Sequence, residues 1–218
     1  VAEAVGAGGA IGVRLLREGL PLPRDGTLEA VGLRSGAFID VVRSIRLLVV
    51  SACRDSTIRI WSAETGKCDH TLEGHSLPAI SATFAPDAKT VVSASEDSTG
   101  RIWSVDSGEC LHELEGHRLP LTSVAFSPNG MLVVTASRDF TARVWSVNTG
   151  SCLWTLRGHR GMVSQAIFSF DSRAVVTASV DCTARVWSAE TGASVHVLEG
   201  HKANCCTAAS SHNSQMLV

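Results

Sequence analysis

Histidine and aspartate recur in this chain at one fixed step. The pairs Gly74-His75, Gly116-His117, Gly158-His159 and Gly200-His201 lie 42 residues apart, and so do Asp55, Asp97, Asp139 and Asp181. With a serine or threonine beside them, such residues make the triad of nucleophilic acyl transfer, in which the imidazole takes the hydroxyl proton and the carboxylate orients the ring. A nucleophile must stand exposed beside an oxyanion hole, however, and equivalent triads repeated at one spacing describe a structural device that every copy needs. No catalytic residue is assigned, and the protein reads as a non-enzyme. The other candidate chemistry is that of the seven cysteines, Cys53, Cys68, Cys110, Cys152, Cys182, Cys205 and Cys206. An odd count, with Cys68, Cys110 and Cys152 at one repeat-equivalent position, is a poor disulfide framework and points to a reducing, cytoplasmic setting, the nucleus included. Those three are expected to pack in the core as small, weakly polar residues. Cys205 and Cys206 are adjacent, neighbours that seldom bridge, and no CxxC or nearby histidine spacing makes a zinc site, so no metal or other cofactor is expected.

The elements that would position these residues repeat as well. "RIWSVDSG" (101–108), "RVWSVNTG" (143–150) and "RVWSAETG" (185–192) are near copies, and Trp61, Trp103, Trp145 and Trp187 share the 42-residue step. A period of this length marks stacked supersecondary units, none of which can bury its apolar face alone. In the copy around Trp145, the segments LTSVAFS (121–127), MLVVTAS (131–137), TARVWSV (141–147) and SCLWTLR (151–157) are rich in β-branched and apolar residues and bounded by turn residues. Each unit is therefore predicted to be four short strands, and no 3.6-residue stripe competes. The fold class is all-β.

At these residues the sequence resembles the WD40 family, β-propellers whose blades carry a Gly-His near the start and a Trp-Asp at the end of the third strand. Here the dipeptide is Trp-Ser in all four copies. The resemblance implies one hydrogen-bonded line within each blade: His75, Ser93, Asp97 and Trp103; His117, Thr135, Asp139 and Trp145; His159, Thr177, Asp181 and Trp187. A buried indole needs an acceptor and a buried carboxylate needs donors, so each set is worth most when complete. The register places Ser51, Asp55 and Trp61 in a further copy whose Gly-His position falls on Gly32-Leu33, so that line lacks its histidine. The boundaries are a partial blade at 44–72, blades at 73–114, 115–156 and 157–198, and a partial blade at 199–218. Family propellers usually close with seven blades, so the expectation is an open arc, or a fragment of a larger ring, with unpaired edges.

The stretch before the repeat has a different resemblance. Residues 14–42 are similar to the second half of ubiquitin-like domains: a strand Arg-Leu-Leu, a Gly turn, a Thr-Leu opening a short helical turn, and a final apolar strand. Leu15, Leu22, Leu28, Leu33, Ile39 and Val41 take its core positions, residues 1–5 the tail of its helix, and 1–43 are read as a partial ubiquitin-like segment. The family's first hairpin has no counterpart, and Arg43 to Leu48 stand where a Gly-Gly tail would be, so conjugation is not expected. Residues 32–42 have a second reading, as the first strand of the partial blade. That would put Asp40 where other copies have Ala82, Val124 and Ala166, burying an unpaired carboxylate at considerable cost, and the ubiquitin-like reading is preferred. A chain that begins with Val and has almost no linker before Leu47 is expected to be a piece of a longer product.

Composition narrows the partners. Hydrophobic residues are 44%, charged residues 18% and the formal charge −2, with no Lys/Arg run, so nucleic acid is not expected. No apolar stretch approaches the roughly 20 residues of a membrane span. The expected function is a non-catalytic scaffold that binds other proteins or peptides. The resemblance implies a rim at the Gly-His and turn-Asp end, formed by residues three and five after each histidine and the one before each aspartate. These are Pro78, Ile80 and Glu96; Pro120, Thr122 and Arg138; Met162, Ser164 and Val180. Pro, Met and Val beside Arg138 suit a peptide anchor with a charge clamp. The alternatives are a ubiquitin-pathway adaptor with an apolar patch at Leu16 and Val42, altered by Asp40, and a propeller hydrolase.

Overall fold

The computed structural model describes residues 47–211, together with the backbone of 11–17, 20–21 and 40–45. Among the described residues every regular element is a strand. Three four-stranded antiparallel sheets follow one another, each in sequence order. They are β7 to β10 (Ala79–Phe84, Thr90–Ser95, Gly100–Ser104, Cys110–Leu114), β11 to β14 (Leu121–Phe126, Leu132–Ser137, Ala142–Ser146, Cys152–Leu156) and β15 to β18 (Val163–Phe168, Ala174–Ser179, Ala184–Ser188, Ser194–Leu198). A three-stranded sheet, β4 to β6 (Leu48–Ala52, Ile58–Ser62, Cys68–Leu72), precedes them. In the Trp145 copy the observed strands agree with the segments read from the sequence to within a residue at either end.

Turn chemistry explains where the strands stop. Between β11 and β12 the Ser127 hydroxyl donates to Asn129 Oδ1 at 2.7 Å and accepts the Leu132 N–H at 2.9 Å, and Gly130 supplies φ +73°. Between β12 and β13, Asp139 accepts the Thr141 N–H at 3.0 Å and the Thr141 hydroxyl at 2.6 Å. An aspartate closing on the backbone two residues on is the usual Asx-turn solution.

The core lies between sheets rather than within one. Ile58, Ile60 and Leu72 of one sheet cluster with Ala79, Val91 and Trp103 of the next. Leu114 clusters likewise with Val133 and Trp145, and Leu156 with Val175 and Trp187. Each such side chain, fully buried, contributes about 1.5–3 kcal/mol, which a lone sheet would forgo. The second strands, buried on both faces, therefore read as near-continuous apolar runs such as LVVTAS. The fourth strands face solvent. Cys68, Cys110 and Cys152, expected in the core, are exposed there, because an outermost strand buries only its last leucine.

At the front, β1 (Ile11–Arg17) pairs with β2 (Leu20–Pro21) and with β3 (Asp40–Ile45), both antiparallel, with Leu15 opposite Val41 and Leu16 opposite Asp40. The helix tail at 1–5, the helical turn at Thr27-Leu28 and the core positions Leu22, Leu28, Leu33 and Ile39 lie outside the described residues. At the other end, Cys205 N donates to Ser179 O at 3.0 Å and Ala208 N to Gln165 Oε1 at 2.9 Å, which lays this segment along β15. The outward faces at both ends are open, with Val49 48% and Leu198 42% exposed.

Candidate functional site

In the three complete blades the histidine of the Gly-His pair is buried and held at both ring nitrogens, whereas His201 of the fourth pair is exposed. His75 Nδ1 lies 2.8 Å from Asp97 Oδ2, and its Nε2 lies 2.8 Å from Ser93 Oγ, which also accepts the Trp103 indole N–H at 2.8 Å. In the next blade the corresponding contacts are His117 to Asp139 at 2.9 Å, His117 to Thr135 at 2.9 Å and Trp145 to Thr135 at 2.8 Å. In the third they are His159 to Asp181 at 2.9 Å, His159 to Thr177 at 2.8 Å and Trp187 to Thr177 at 2.9 Å. The structure thus brings together all twelve residues in three lines of four. Because the hydroxyl already accepts the indole proton, its own hydrogen is left for the imidazole, and the ring's other N–H donates to the carboxylate.

Electrostatics agree with neutral rings. Burial is the largest influence on His75 and His159 and pushes both below the usual imidazole range, against the pull of their aspartates. Burial raises Asp97, Asp139 and Asp181, but donated hydrogen bonds outweigh it and hold all three below the usual carboxylate range. Those donors include the Thr99 and Thr183 hydroxyls and amides, the histidines, and the amides of Arg118 and Arg160. The hydroxyls of the set are closed off from solvent: Ser93, Thr135 and Thr177 are 0% exposed, and each hydroxyl is engaged twice. Among the described residues no group of three or more His, Cys, Asp or Glu side chains gathers to hold a metal.

The first sheet shows what happens without the histidine. Trp61 still donates to Ser51 Oγ at 2.9 Å, but Asp55 is exposed and pairs with Arg59 at 3.0 Å. Hydrogen bonds from the Thr57 hydroxyl and amide hold its carboxyl at about 2. In complete blades the equivalent arginines turn elsewhere: Arg101, Arg143 and Arg185 each lie 5.9 Å from the centre of the Trp ring two residues on. The glycine of Gly-His is required by its backbone, with φ between +140° and +153° at Gly74, Gly116, Gly158 and Gly200. At Gly158, φ is +153° and a Cβ would come within 2.7 Å of Arg185 Nη1. The sequence reading missed this arginine, although its signal was present in the repeated Arg-Ile/Val-Trp.

The comparisons match this arrangement. The repeat family described as "WD domain, G-beta repeat" matches residues 36–62, 66–104, 108–146 and 150–188, well over half the chain. This chain belongs to the WD40 family. The human F-box-like/WD repeat-containing protein TBL1Y and the mouse F-box-like/WD repeat-containing protein TBL1X are each 46% identical to it over 43 residues. That stretch is 20% of this chain and 8% of either relative. The first WD40 match begins at residue 36 and so takes in residues 36–43, read from the sequence as the end of the ubiquitin-like segment, whereas in the structure Asp40–Ile45 pairs with Ile11–Arg17. The WD40 match leaves residues 1–35 uncovered.

WD40 repeats are typical of protein-interaction scaffolds, and the rim of this one is held by the buried lines. The carboxylate that caps each histidine also accepts the next amide, from Ser76 at 3.1 Å, Arg118 at 3.0 Å and Arg160 at 2.8 Å. The rim residues then pair across the loop: Glu96 N to Pro78 O and Arg138 N to Pro120 O at 2.9 Å, and Val180 N to Met162 O at 3.0 Å. Arg138 and Ile80 are exposed; Pro78, Glu96, Pro120, Met162, Ser164 and Val180 are half-buried. Thr122 faces a seam instead, its hydroxyl donating to Val163 O of the next blade at 2.6 Å. Leu77, Leu119 and Phe140, absent from the sequence reading, are 48%, 47% and 47% exposed. Phe140 had a signal: it fills the turn position that Ser56, Ser98 and Cys182 occupy in other copies, at φ +69°.

Proposed function

We propose that this chain is a non-catalytic scaffold that captures a partner protein or peptide on the rim built from Pro78, Ile80, Glu96, Pro120, Arg138, Met162, Ser164 and Val180. The observation that carries this reading is the burial of the three triad-like sets. A hydroxyl that is 0% exposed and already bonded to an indole and an imidazole is a staple, and it leaves the rim as the surface free for function. Exposed Leu119 and Phe140, on the two loops joined by the bond from Arg138 N to Pro120 O, together with exposed Arg138 offer the apolar anchor and charge that partner peptides use. Exposed free thiols at Cys68, Cys110, Cys152 and Cys206 favour a reducing compartment, cytoplasm or nucleus. Affinity capture with the wild-type chain and with Arg138→Glu combined with Met162→Ala tests the site. Partner loss at unchanged melting temperature supports it, and unchanged capture removes it.

A second reading rests on the β2-β1-β3 sheet, in which a hairpin strand pairs antiparallel with residues 40–45. A ubiquitin-pathway adaptor would present Leu16 and Val42 from these two strands. Titration with ubiquitin-interacting domains, compared with Leu16→Asp, separates this reading from the rim reading.

A further inference from the structure

The two rim loops of each complete blade are clasped by the same bonds, so their outward residues compare position by position. In the second blade Arg118-Leu119-Pro120 runs against Arg138-Asp139-Phe140. Arg118 N donates to Asp139 Oδ2 at 3.0 Å, Arg138 N to Pro120 O at 2.9 Å and Ser137 Oγ to Leu119 O at 2.8 Å. The same bonds join Ser76-Leu77-Pro78 to Glu96-Asp97-Ser98 in the first blade. In the third they join Arg160-Gly161-Met162 to Val180-Asp181-Cys182. The backbone is held constant while the displayed side chains change.

Charge changes with them. Glu96 with Asp97 gives the first clasp −2, Arg118 and Arg138 with Asp139 give the second +1, and Arg160 with Asp181 leaves the third at 0. The side chains of Asp139 and Asp181 are only 9% and 10% exposed, whereas Arg118, Arg138 and Arg160 are exposed, so an approaching ligand meets the cations first. Glu115 and Arg157, each just before a Gly-His pair, offset one another. The second clasp also sets apolar surface beside its cations, with Leu119 and Phe140 both 47% exposed; in the first, Leu77 is equally open but its charged neighbour is Glu96. Phe140 holds φ +69°, where the other copies place Ser56, Ser98 and Cys182. A left-handed backbone is unfavourable for a bulky aromatic, and backbone strain of this kind gathers at ligand clamps.

Resting on the rim reading, we infer that the second clasp anchors an acidic partner peptide. An aliphatic or aromatic side chain of that peptide sits on Leu119 and Phe140, its carboxylates meet Arg118 and Arg138, and further acid runs toward Arg160 and away from Glu96. The planar guanidinium fork matches a carboxylate bidentately, which a lysine would not do. An extended peptide turns every second side chain to one surface, so the pattern recognised is acid, apolar, acid at alternate positions. Glu96 sets the direction, because a peptide laid with its acid over the first blade meets like charge.

Fluorescence anisotropy with a labelled Glu-Ser-Leu-Ser-Glu-Ser-Glu peptide, and with its counterpart bearing lysine at each glutamate, reads the preference. The glutamate peptide should bind in preference to the lysine peptide, and raising salt from about 50 mM to about 500 mM should weaken it several-fold. Arg118→Gln and Arg138→Gln should each weaken it about 3- to 10-fold, and Glu96→Gln should tighten it. Arg118→Glu combined with Arg138→Glu should transfer the preference to the lysine peptide, a gain of binding that a misfolded chain cannot give. No binding of the glutamate peptide at about 1 mM, equal binding of the lysine peptide, or an affinity unmoved in both glutamine variants of the arginines would overturn the inference. A captured partner that is lost with Arg138→Glu plus Met162→Ala, yet is not competed by the glutamate peptide, would overturn the acidic partner and keep the rim; capture unchanged in that variant would remove both.

Discussion

Replacing Thr135 by valine tests the buried lines most directly. The side chain keeps its shape, and only the hydroxyl is lost. Trp145 Nε1, now 2.8 Å from that oxygen, and His117 Nε2, now 2.9 Å away, would both be left facing a methyl group in a site that is 0% exposed at residue 135. Each of the two orphaned groups costs about 1–3 kcal/mol, and the added methyl returns up to roughly 1 kcal/mol, so Thr135→Val should destabilise by about 1–6 kcal/mol. Adding Trp145→Phe removes one of the orphans, so the double variant should be more stable than the sum of the single effects by about 1–2 kcal/mol. Ser51→Ala is the internal control. That hydroxyl serves the Trp61 indole at 2.9 Å in a half-buried site with no histidine in its line, and its loss should cost about 1 kcal/mol or less. Urea unfolding followed by far-ultraviolet circular dichroism, with all variants compared at a common slope, reads these differences. A Thr135→Val midpoint equal to wild type, or strict additivity with Trp145→Phe, would show that the repeated lines do not hold the sheets and would refute the reasoning.

Further outcomes follow from the same geometry. His75 and His159 have folded pKa values below their ordinary value of 6.5, so the unfolded chain takes up their protons first as pH falls. Stability should be full above that value and decline below it, with a further decline below the ordinary 3.8 of Asp97, Asp139 and Asp181, whose folded values are also depressed. A melting temperature unchanged between neutral pH and the acid side of 6.5 would contradict neutral buried imidazoles. Gly158→Ala should lose about 1–2 kcal/mol in urea unfolding, since its Cβ would meet Arg185 Nη1 at 2.7 Å and φ stays at +153°. Phe140→Asn relieves a non-glycine residue at φ +69° and should raise the melting temperature while weakening rim capture; a lower melting temperature would mean the exposed ring packs usefully.

The repeat was legible from residues alone because its signals are local or periodic. The 42-residue step, the alternating strands and the turn residues each depend on a few neighbours, and so the strand boundaries of the Trp145 copy could be read to within a residue. Burial was less legible. Cys110 and Leu114 lie on one short strand, yet the first is exposed and the second fully buried, since only contact with the following blade separates them. The same limit hid the packing of each arginine against an indole, although the Arg-Ile/Val-Trp triplet itself stands in the sequence.

What the sequence by itself determined is the blade: four strands, their turns, and the polar set that each copy writes for its own interior. What only the tertiary structure decided is which identical residues are covered. Val49 and Val91, or Leu156 and Leu198, sit in the same local pattern, and they differ because apolar burial is supplied by the neighbouring sheet and not by the strand that carries the side chain.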